Sequence, residues 1–371
     1  MYATREESAV PDEPAEFDTP WRRNLEEIEH ALSAWAIARF AEPVVVANVA
    51  SPGNGMSSET VLFDVHNVAE GGVDHYVARL APLPDLYPVF PDYDLELQRK
   101  CMDLVRAHTD VPAPEVTFFE RDIEWLGTPF LVMRRISGEA PPDIPPYVFG
   151  GWVMDASPDQ RRTLQDSTVS VLARLHEITP ATHDLSFLAQ PQHGASALDQ
   201  QLGYQQWYYE WARNGVSYPL IERTLAWLDA NRPAEGAPVL NWGDARIGNV
   251  LYTDFEPAAV LDWEMATIGP REVDLAWMIF LDTFFDDLAQ RFELPPIPGF
   301  MDRADVVGTY EKLTGHTVRA LEWFEVLAAL RFAIVSVRTS TRGIAYGQME
   351  LPAEPDDLIM FRSLLERMLG G

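Results

Sequence analysis

The sequence predicts an α+β chain of two lobes, a small one built on a five-stranded antiparallel sheet and a larger one that is mainly helical. Three observations carry this. Short apolar, strand-like runs separated by turn-forming residues crowd residues 44–136. Beyond residue 157, stretches with apolar residues at three- and four-residue spacing dominate. The change falls at the proline-rich "SGEAPPDIPP", close to Ser137. A length of 371 residues exceeds the usual size of one core, which also favours two lobes.

Residues 1–18 are polar, acidic and proline-containing, and read as a disordered tail. The first lobe then runs over 19–136 and the second over 137–371. A helical pattern starts at Thr19, with Leu25, Ile28, Leu32 and Trp35 on one face. "VVVANVA" (44–50), "SPGNGMSSE" (51–59) and "TVLFDV" (60–65) read as strand, turn and strand, and "DHYVARL" (74–80) as a third strand. A helix from about Tyr93 to Ala107 precedes two more strands, "EVTFFE" and "TPFLVMRRI". In the second lobe, 158–179, 196–213, 218–231, 271–291, 303–314 and 319–340 read as helices, and only "PVLNW", "VLYT" and "AAVLDW" as strands.

Composition narrows the class. Apolar residues make up 47% of the chain, as in a soluble globular protein. No apolar run approaches the roughly 20 residues that span a bilayer, and the first residues hold no apolar signal core, so a cytoplasmic location is expected. The single cysteine, Cys101, excludes an intramolecular disulfide and a cysteine-based zinc site. The formal charge of −29 argues against nucleic acid and against an anionic membrane surface.

The informative segment is "VLNWGDARIGNVLY" (239–252), where an acid, a base and an amide sit in a short loop between two strand-like runs. That arrangement reads as the tip of a hairpin displaying Asp244, Arg246 and Asn249. A second carboxylate, Asp262, ends the next apolar run, "AAVLDW". Phosphoryl transfer from ATP needs a carboxylate to accept a hydroxyl proton, a cation near the γ-phosphate, and oxygen ligands for Mg2+. Asp244 suits the first role, Arg246 the second, and Asn249 with Asp262 the third. Arg246 as a solvated loop residue is the alternative. The turn "SPGNGMSSE" fits a phosphate-covering hairpin through Gly55, Met56, Ser57 and Ser58, because glycines admit close backbone approach and free N–H groups donate; an ordinary hairpin turn has the same composition.

The spacing in "GDARIGN" followed by "LDWE" matches the protein-kinase pattern D-x-x-x-x-N with a later metal-binding Asp. With "AVLDWEMATIGPREVDLAWM", "GNGMSSET", "YVARL", "TDVPAPEV", "LGTPFLVMRRISG" and "LARLHEI", the chain over about 40–340 resembles the aminoglycoside phosphotransferase and choline kinase-like family. It is most similar there to actinobacterial phosphotransferases and to the kinase-like domain fused to acyl-CoA dehydrogenases in animals. The resemblance implies a bilobal protein-kinase-like fold, with a nucleotide-binding first lobe and a catalytic, acceptor-binding second lobe. It implies a kinase that uses ATP and Mg2+ to phosphorylate a hydroxyl of a small molecule. Asp244 would be the base, Asn249 and Asp262 the metal ligands, and Asp274 an acid bracing the loop. Glu264 would stand behind the metal or be an ordinary hydrogen-bonded acid. Arg79 occupies the place of the lysine that holds the α- and β-phosphates, with Glu96 or Gln98 as its helix partner. The adenine would lie against Met133, Arg135 and Ile136 at the crossover between lobes; Met133 as core filler is the alternative.

One residue departs from the family. Trp242 stands where a histidine is usual, and an aromatic with an N–H suits the same bracing role. His176 in "LARLHEI" is family-typical and is expected to be structural. A pseudokinase that holds nucleotide without turnover is the other class of reading. For the acceptor, Trp207, Tyr208, Tyr209 and Trp211, with Asp282, Asp286 and Asp287, either wall a pocket or pack helices and face solvent. An acidic rim favours a polyamine-like or aminoglycoside acceptor. The resemblance favours a hydroxyacyl metabolite, since some relatives phosphorylate hydroxyacyl-CoA.

Overall fold

A computed structural model describes residues 19–52, 57–69 and 71–370. The expected tail and the Gly55 and Met56 positions lie outside the described residues. The chain opens with α1 (Leu25–Arg39), whose start is fixed by Asn24: its side chain accepts the N–H groups of Glu26 and Glu27. Then come β1 (Val44–Ala50), β2 (Glu59–Asn67), β3 (Val73–Leu80), α2 (Leu95–His108), β4 (Val116–Glu120) and β5 (Phe130–Arg134). The five strands form one antiparallel sheet in the order β1-β2-β3-β5-β4, as the sequence predicts.

The two faces of this sheet serve different cores, because side chains alternate along each strand. Tyr76, Ala78 and Leu80 of β3 pack with Phe63, Phe130 and Val132 beneath α1, which contributes Ile28, Leu32 and Trp35. Leu25, expected on the same face, is exposed. The opposite face carries Val77 and Arg79, with Leu131 and Met133 beside them in register on β5. Val77, Leu131 and Met133 belong to the larger core, with Leu95, Cys101, Met102 and Val105 of α2. Cys101 is buried there as a small apolar helix residue.

The rest is mainly helical: α3 (Trp152–Asp155), α4 (Pro158–Leu175), α5 (Ala197–Ala212), α6 (Pro219–Ala230), α7 (Glu272–Arg291), α8 (Arg303–Thr314), α9 (Leu321–Ala345) and α10 (Arg362–Met368). The α4 N-terminus is a capping box, with Ser157 and Gln160 satisfying each other's backbone N–H. No helix among the described residues is long and apolar enough to cross a membrane.

Four short strands interrupt the helices: β6 (Val239–Asn241), β7 (Val250–Thr253), β8 (Glu256–Val260) and β9 (Thr267–Gly269). Their pairing corrects the hairpin expectation. β6 pairs with β9, and β7 pairs with β8, so the strands on either side of the Asp244 loop do not pair with each other. The reason is the turn at Gly243–Asn249, which is too long and too twisted for a tight hairpin and includes a 3-10 turn at Ile247–Asn249.

In the small core, Trp35 is fully buried, meets Phe118 and Phe130 edge-on, and donates its indole N–H to Glu120 at 3.3 Å. Trp35→Ala is expected to cost about 3–5 kcal/mol, by cavity formation, in urea-melt stability.

Candidate active site

The site starts from a buried acid. Asp274, in the first turn of α7, is fully buried and accepts the backbone N–H of Trp242 at 2.8 Å and of Gly243 at 2.9 Å. His176, equally buried, lies 3.2 Å from the same carboxylate and 2.6 Å from the Tyr310 hydroxyl. Burial pushes the His176 imidazole below its ordinary range, against the pull of Asp274. His176 and Asp274 therefore hold the strand that leads into the loop. Gly243 turns there with φ +91, and a Cβ would sit 1.9 Å from the Met265 carbonyl oxygen. Only glycine admits that approach.

Trp242, the residue that departs from the family, is fully buried, and its indole N–H donates to the Leu261 carbonyl at 2.7 Å. The Leu261 N–H in turn donates to the Asn249 carbonyl at 2.8 Å. One aromatic side chain thus ties the Asp244 loop to the segment entering Asp262. Asp262 itself has φ 60 and ψ 65, left-handed values uncommon for a non-glycine residue.

Asp244, Arg246 and Asn249 meet within hydrogen-bond distance. Asn249 Nδ2 donates to Asp244 Oδ2 at 2.6 Å, and Trp277 Nε1 of α7 donates to Asp244 Oδ1 at 2.6 Å. Arg246 Nε lies 3.2 Å from Asp244 Oδ1, while its Nη1 is 2.6 Å from both oxygens of Asp143. The two carboxylates push the guanidinium up, against desolvation as the largest single effect. A Cβ on Gly248 would fall 2.5 Å from Arg246 Nη1 and 2.8 Å from Asp143 Oδ1, so that glycine leaves room for the pair.

Across the cleft, Arg79 reaches down from β3 to Asp262, and to Glu264 at 2.9 Å. Glu264 also accepts hydrogen bonds from Ser57 and, at 3.4 Å, from Ser58. Ser57 and Ser58 are thereby brought to the same group as Arg79. Burial first, then the neighbouring Asp262, pushes Glu264 up to about 7. Neither helix candidate bonds to Arg79. Glu96 is turned outward to Arg121 at 2.8 Å, and Gln98 is buried with Nε2 unpartnered among the described residues. The carboxylates on Arg79 come from the other lobe. At the crossover, Met133 is buried opposite Val77, Ile136 is half-buried, and Arg135 is exposed with its N–H on the His75 carbonyl at 2.9 Å.

Sequence reasoning did not find Asp143, Trp277 as a partner of Asp244, or Arg331, whose Nη2 donates to the Gly243 carbonyl at 2.8 Å. The aromatic run on α5 divides. Tyr208 and Tyr209 are buried helix packing, with their hydroxyls on the Val89 carbonyl and on Glu222. Trp211 stacks on Tyr208, and Trp207 is exposed against Tyr204 and His193. The acids divide as well. Asp287 is paired with Arg291 and Arg367, whereas Asp282 is buried and accepts the Tyr147 hydroxyl at 2.5 Å.

Two outcomes follow from these contacts. Trp242→Phe is expected to lower stability by about 1–2 kcal/mol in chemical denaturation, because the Leu261 carbonyl loses its donor. Burial, with Asp286 and Asp302 nearby, raises Asp282 to about 8. A raised group gives stability present below its unfolded value and lost as pH rises through the folded one. The melting temperature of Asp282→Asn is therefore expected to gain on wild type between pH 4 and pH 8.

Comparison with known proteins gives the family and the fold. Residues 50–303 match the model of the phosphotransferase enzyme family. The chain is 24% identical over 341 residues to the acyl-CoA dehydrogenase-like protein IBR3 of Arabidopsis thaliana, covering 84% of this chain and 39% of that one. It is 28% identical over 209 residues to acyl-CoA dehydrogenase family member 11 of Homo sapiens, covering 55% and 25% respectively. It therefore spans well under half the length of these relatives. Among solved structures, a candidate aminoglycoside phosphotransferase of Ralstonia eutropha superposes with TM-score 0.63 at 21% identity, over 92% of this chain and 96% of that one. Aminoglycoside phosphotransferase APH(4)-Ia, as a thermostable mutant in ternary complex with ADP and hygromycin B, gives 0.57 at 16%, over 92% and 99%. These structures share the fold. The match of the family across more than half of its length, on a bilobal scaffold that gathers Asp244, Asn249, Asp262 and Arg79 into one cleft, establishes that the chain belongs to the phosphotransferase enzyme family.

Proposed function

We propose that the chain transfers the γ-phosphoryl group of ATP to a hydroxyl of a small molecule. The observation that supports this most is the placement of Asp244, with one oxygen fixed by Asn249 and the other by Trp277, on a loop braced by Asp274. A carboxylate held in that way accepts a proton from a hydroxyl without having to reorganise.

The oxygen donors suit Mg2+. Asn249 commits its amide nitrogen to Asp244, which leaves its carbonyl oxygen as the ligand atom. Asp262 keeps Oδ2 beyond the oxygen that Arg79 holds. Two protein oxygens with phosphate and water completing the shell is the usual provision for this ion, which would neutralise charge on the β- and γ-phosphates. Arg79 is the phosphate-binding cation of the first lobe, and exchanges its carboxylates for phosphate oxygens as nucleotide enters. Arg246 is held by Asp143, so its supported role is to lock the loop and offset the charge of Asp244. Backbone groups of Met133, Arg135 and Ile136 would receive the adenine.

A hydroxylated acyl metabolite is the better match to the acyl-CoA dehydrogenase-type relatives, and an aminoglycoside-like amine to the structural neighbours. A nucleotide-holding module without turnover is the second reading. What favours it is that Arg79 and the Ser57 turn are already engaged by Asp262 and Glu264.

A panel of hydroxylated metabolites and aminoglycosides incubated with Mg-ATP and read by mass spectrometry separates them. One acceptor is expected to gain phosphate, with Asp244→Asn lowering kcat by about 10²–10⁴-fold while ATP binding persists. Phosphate transfer that survives Asp244→Asn, or a protein that binds ATP and never turns it over, would defeat the proposal.

A further inference from the structure

The orientation of Asp244 depends on a donor from outside its own loop, the indole of Trp277, at 2.6 Å. Trp277 lies on α7 and is 3% exposed. Behind it stands Arg331 of α9, whose guanidinium carbon is 4.3 Å from the centre of the Trp277 ring. A cation on the ring face draws electron density from the indole and makes its N–H a stronger donor. The same guanidinium donates through Nη2 to the carbonyl of Gly243, the residue preceding Asp244, at 2.8 Å. Arg331 therefore reaches Asp244 by two indirect routes, through the Trp277 ring and through the Gly243 carbonyl.

Its surroundings are costly for a cation. Arg331 is 3% exposed, and its Nε and Nη1 have no hydrogen-bond partner among the described residues. Burial holds its pKa below the usual arginine value, against the opposing fields of Asp274 and Asp244. An apolar side chain of similar volume would be neutral or stabilising at such a place, so packing alone does not account for an arginine.

We propose that Arg331 is a positioning residue for the phosphoryl-transfer reaction, fixing the Asp244 carboxylate through the Trp277 indole and the Gly243 carbonyl. The inference rests on Asp244 as proton acceptor, as proposed above. Removing the guanidinium frees the indole to tilt and the 243–244 peptide to rotate, while the phosphate-binding residues on the other lobe stay in place. The loss therefore falls on kcat and spares the KM for ATP.

The test uses the full chain with Mg-ATP and water as the acceptor, read by phosphate release, on wild type, Asp244→Asn, Arg331→Met, Arg331→Lys, Trp277→Phe and the double variant Arg331→Met/Trp277→Phe. Arg331→Met and Trp277→Phe are each expected to lower kcat by about 10–100-fold, the size of effect that a small misplacement of a reacting group produces. KM for ATP should stay within about twofold of wild type, and Arg331→Lys should recover part of the rate. The double variant should be no more than about threefold slower than the slower single one, because both changes break the same path. In 1H–15N spectra the Trp277 indole resonance should move upfield in Arg331→Met and Arg331→Lys as its hydrogen bond to Asp244 weakens.

Wild-type kcat in Arg331→Met, a loss confined to KM, or losses that multiply in the double variant would overturn the inference. If Arg331→Met does not fold, Arg331→Lys decides: an unmoved indole resonance with wild-type kcat overturns it, and a shifted resonance with reduced kcat supports it. Phosphate release that is absent in wild type or unaffected by Asp244→Asn removes the proposed function and this inference with it. Release that depends on Asp244 but not on Arg331 removes this inference alone.

Discussion

A carboxylate with no exposure to water must be met by donors, and the structure around the site is arranged to meet one. Asp274 takes two backbone N–H groups from the start of the Asp244 loop and faces a buried imidazole. Its position in the first turn of α7 adds the favourable end of the helix dipole. The loop is thereby fastened to a helix rather than to a neighbouring strand. That helix also carries Trp277 one turn further on, so a single rigid element sets both the loop's backbone and the orientation of its acid.

The two lobes meet through charge. Arg79, Ser57 and Ser58 converge on Asp262 and Glu264, so the first lobe is drawn onto the second by groups that include those proposed to receive phosphate and metal. Such a contact is self-consistent only while the cleft lacks a stronger anion. Under the proposed function, triphosphate would supply more oxygens to Arg79 than two carboxylates do, and bidentate pairing suits a guanidinium. The strained backbone at Asp262 aims its carboxylate at this junction, and Glu264, two residues on, shares the same guanidinium.

Much of this was legible in the sequence, and the reasons differ by residue. Asp244, Asn249 and Asp262 could be singled out together because a kinase-like spacing lies within one stretch of chain, and the fold brings them to one cleft. The five-stranded sheet and the long helices were legible because period-two and helical patterns are local. β9 was not, since three residues, "TIG", carry no period, and without it the pairing of β6 could not be found. Asp143 is 103 residues from Arg246, and Trp277 is 33 from Asp244; nothing local marks either pairing. Arg331 carries no local mark in the sequence, because burial is a property of the assembled helices. The partner of Arg79 was sought on α2, by analogy with kinases, whereas the carboxylates come from the 262–264 segment.

The crossed pairing of the four short strands bears on how such a chain can change over evolutionary time. In a simple hairpin, an inserted residue is absorbed by a slip of register or a longer tip. Here the segment bearing Asp244 is held on one side by β9 and on the other by β8, and the Leu261–Asn249 contact stitches it to the next turn. An added or deleted residue would pull two separate sheets at once. Length is therefore constrained across 239–269, and change there must come by substitution rather than by insertion or deletion. The segment that carries Asp244, Asn249 and Asp262 is the one that natural variation can least readily lengthen.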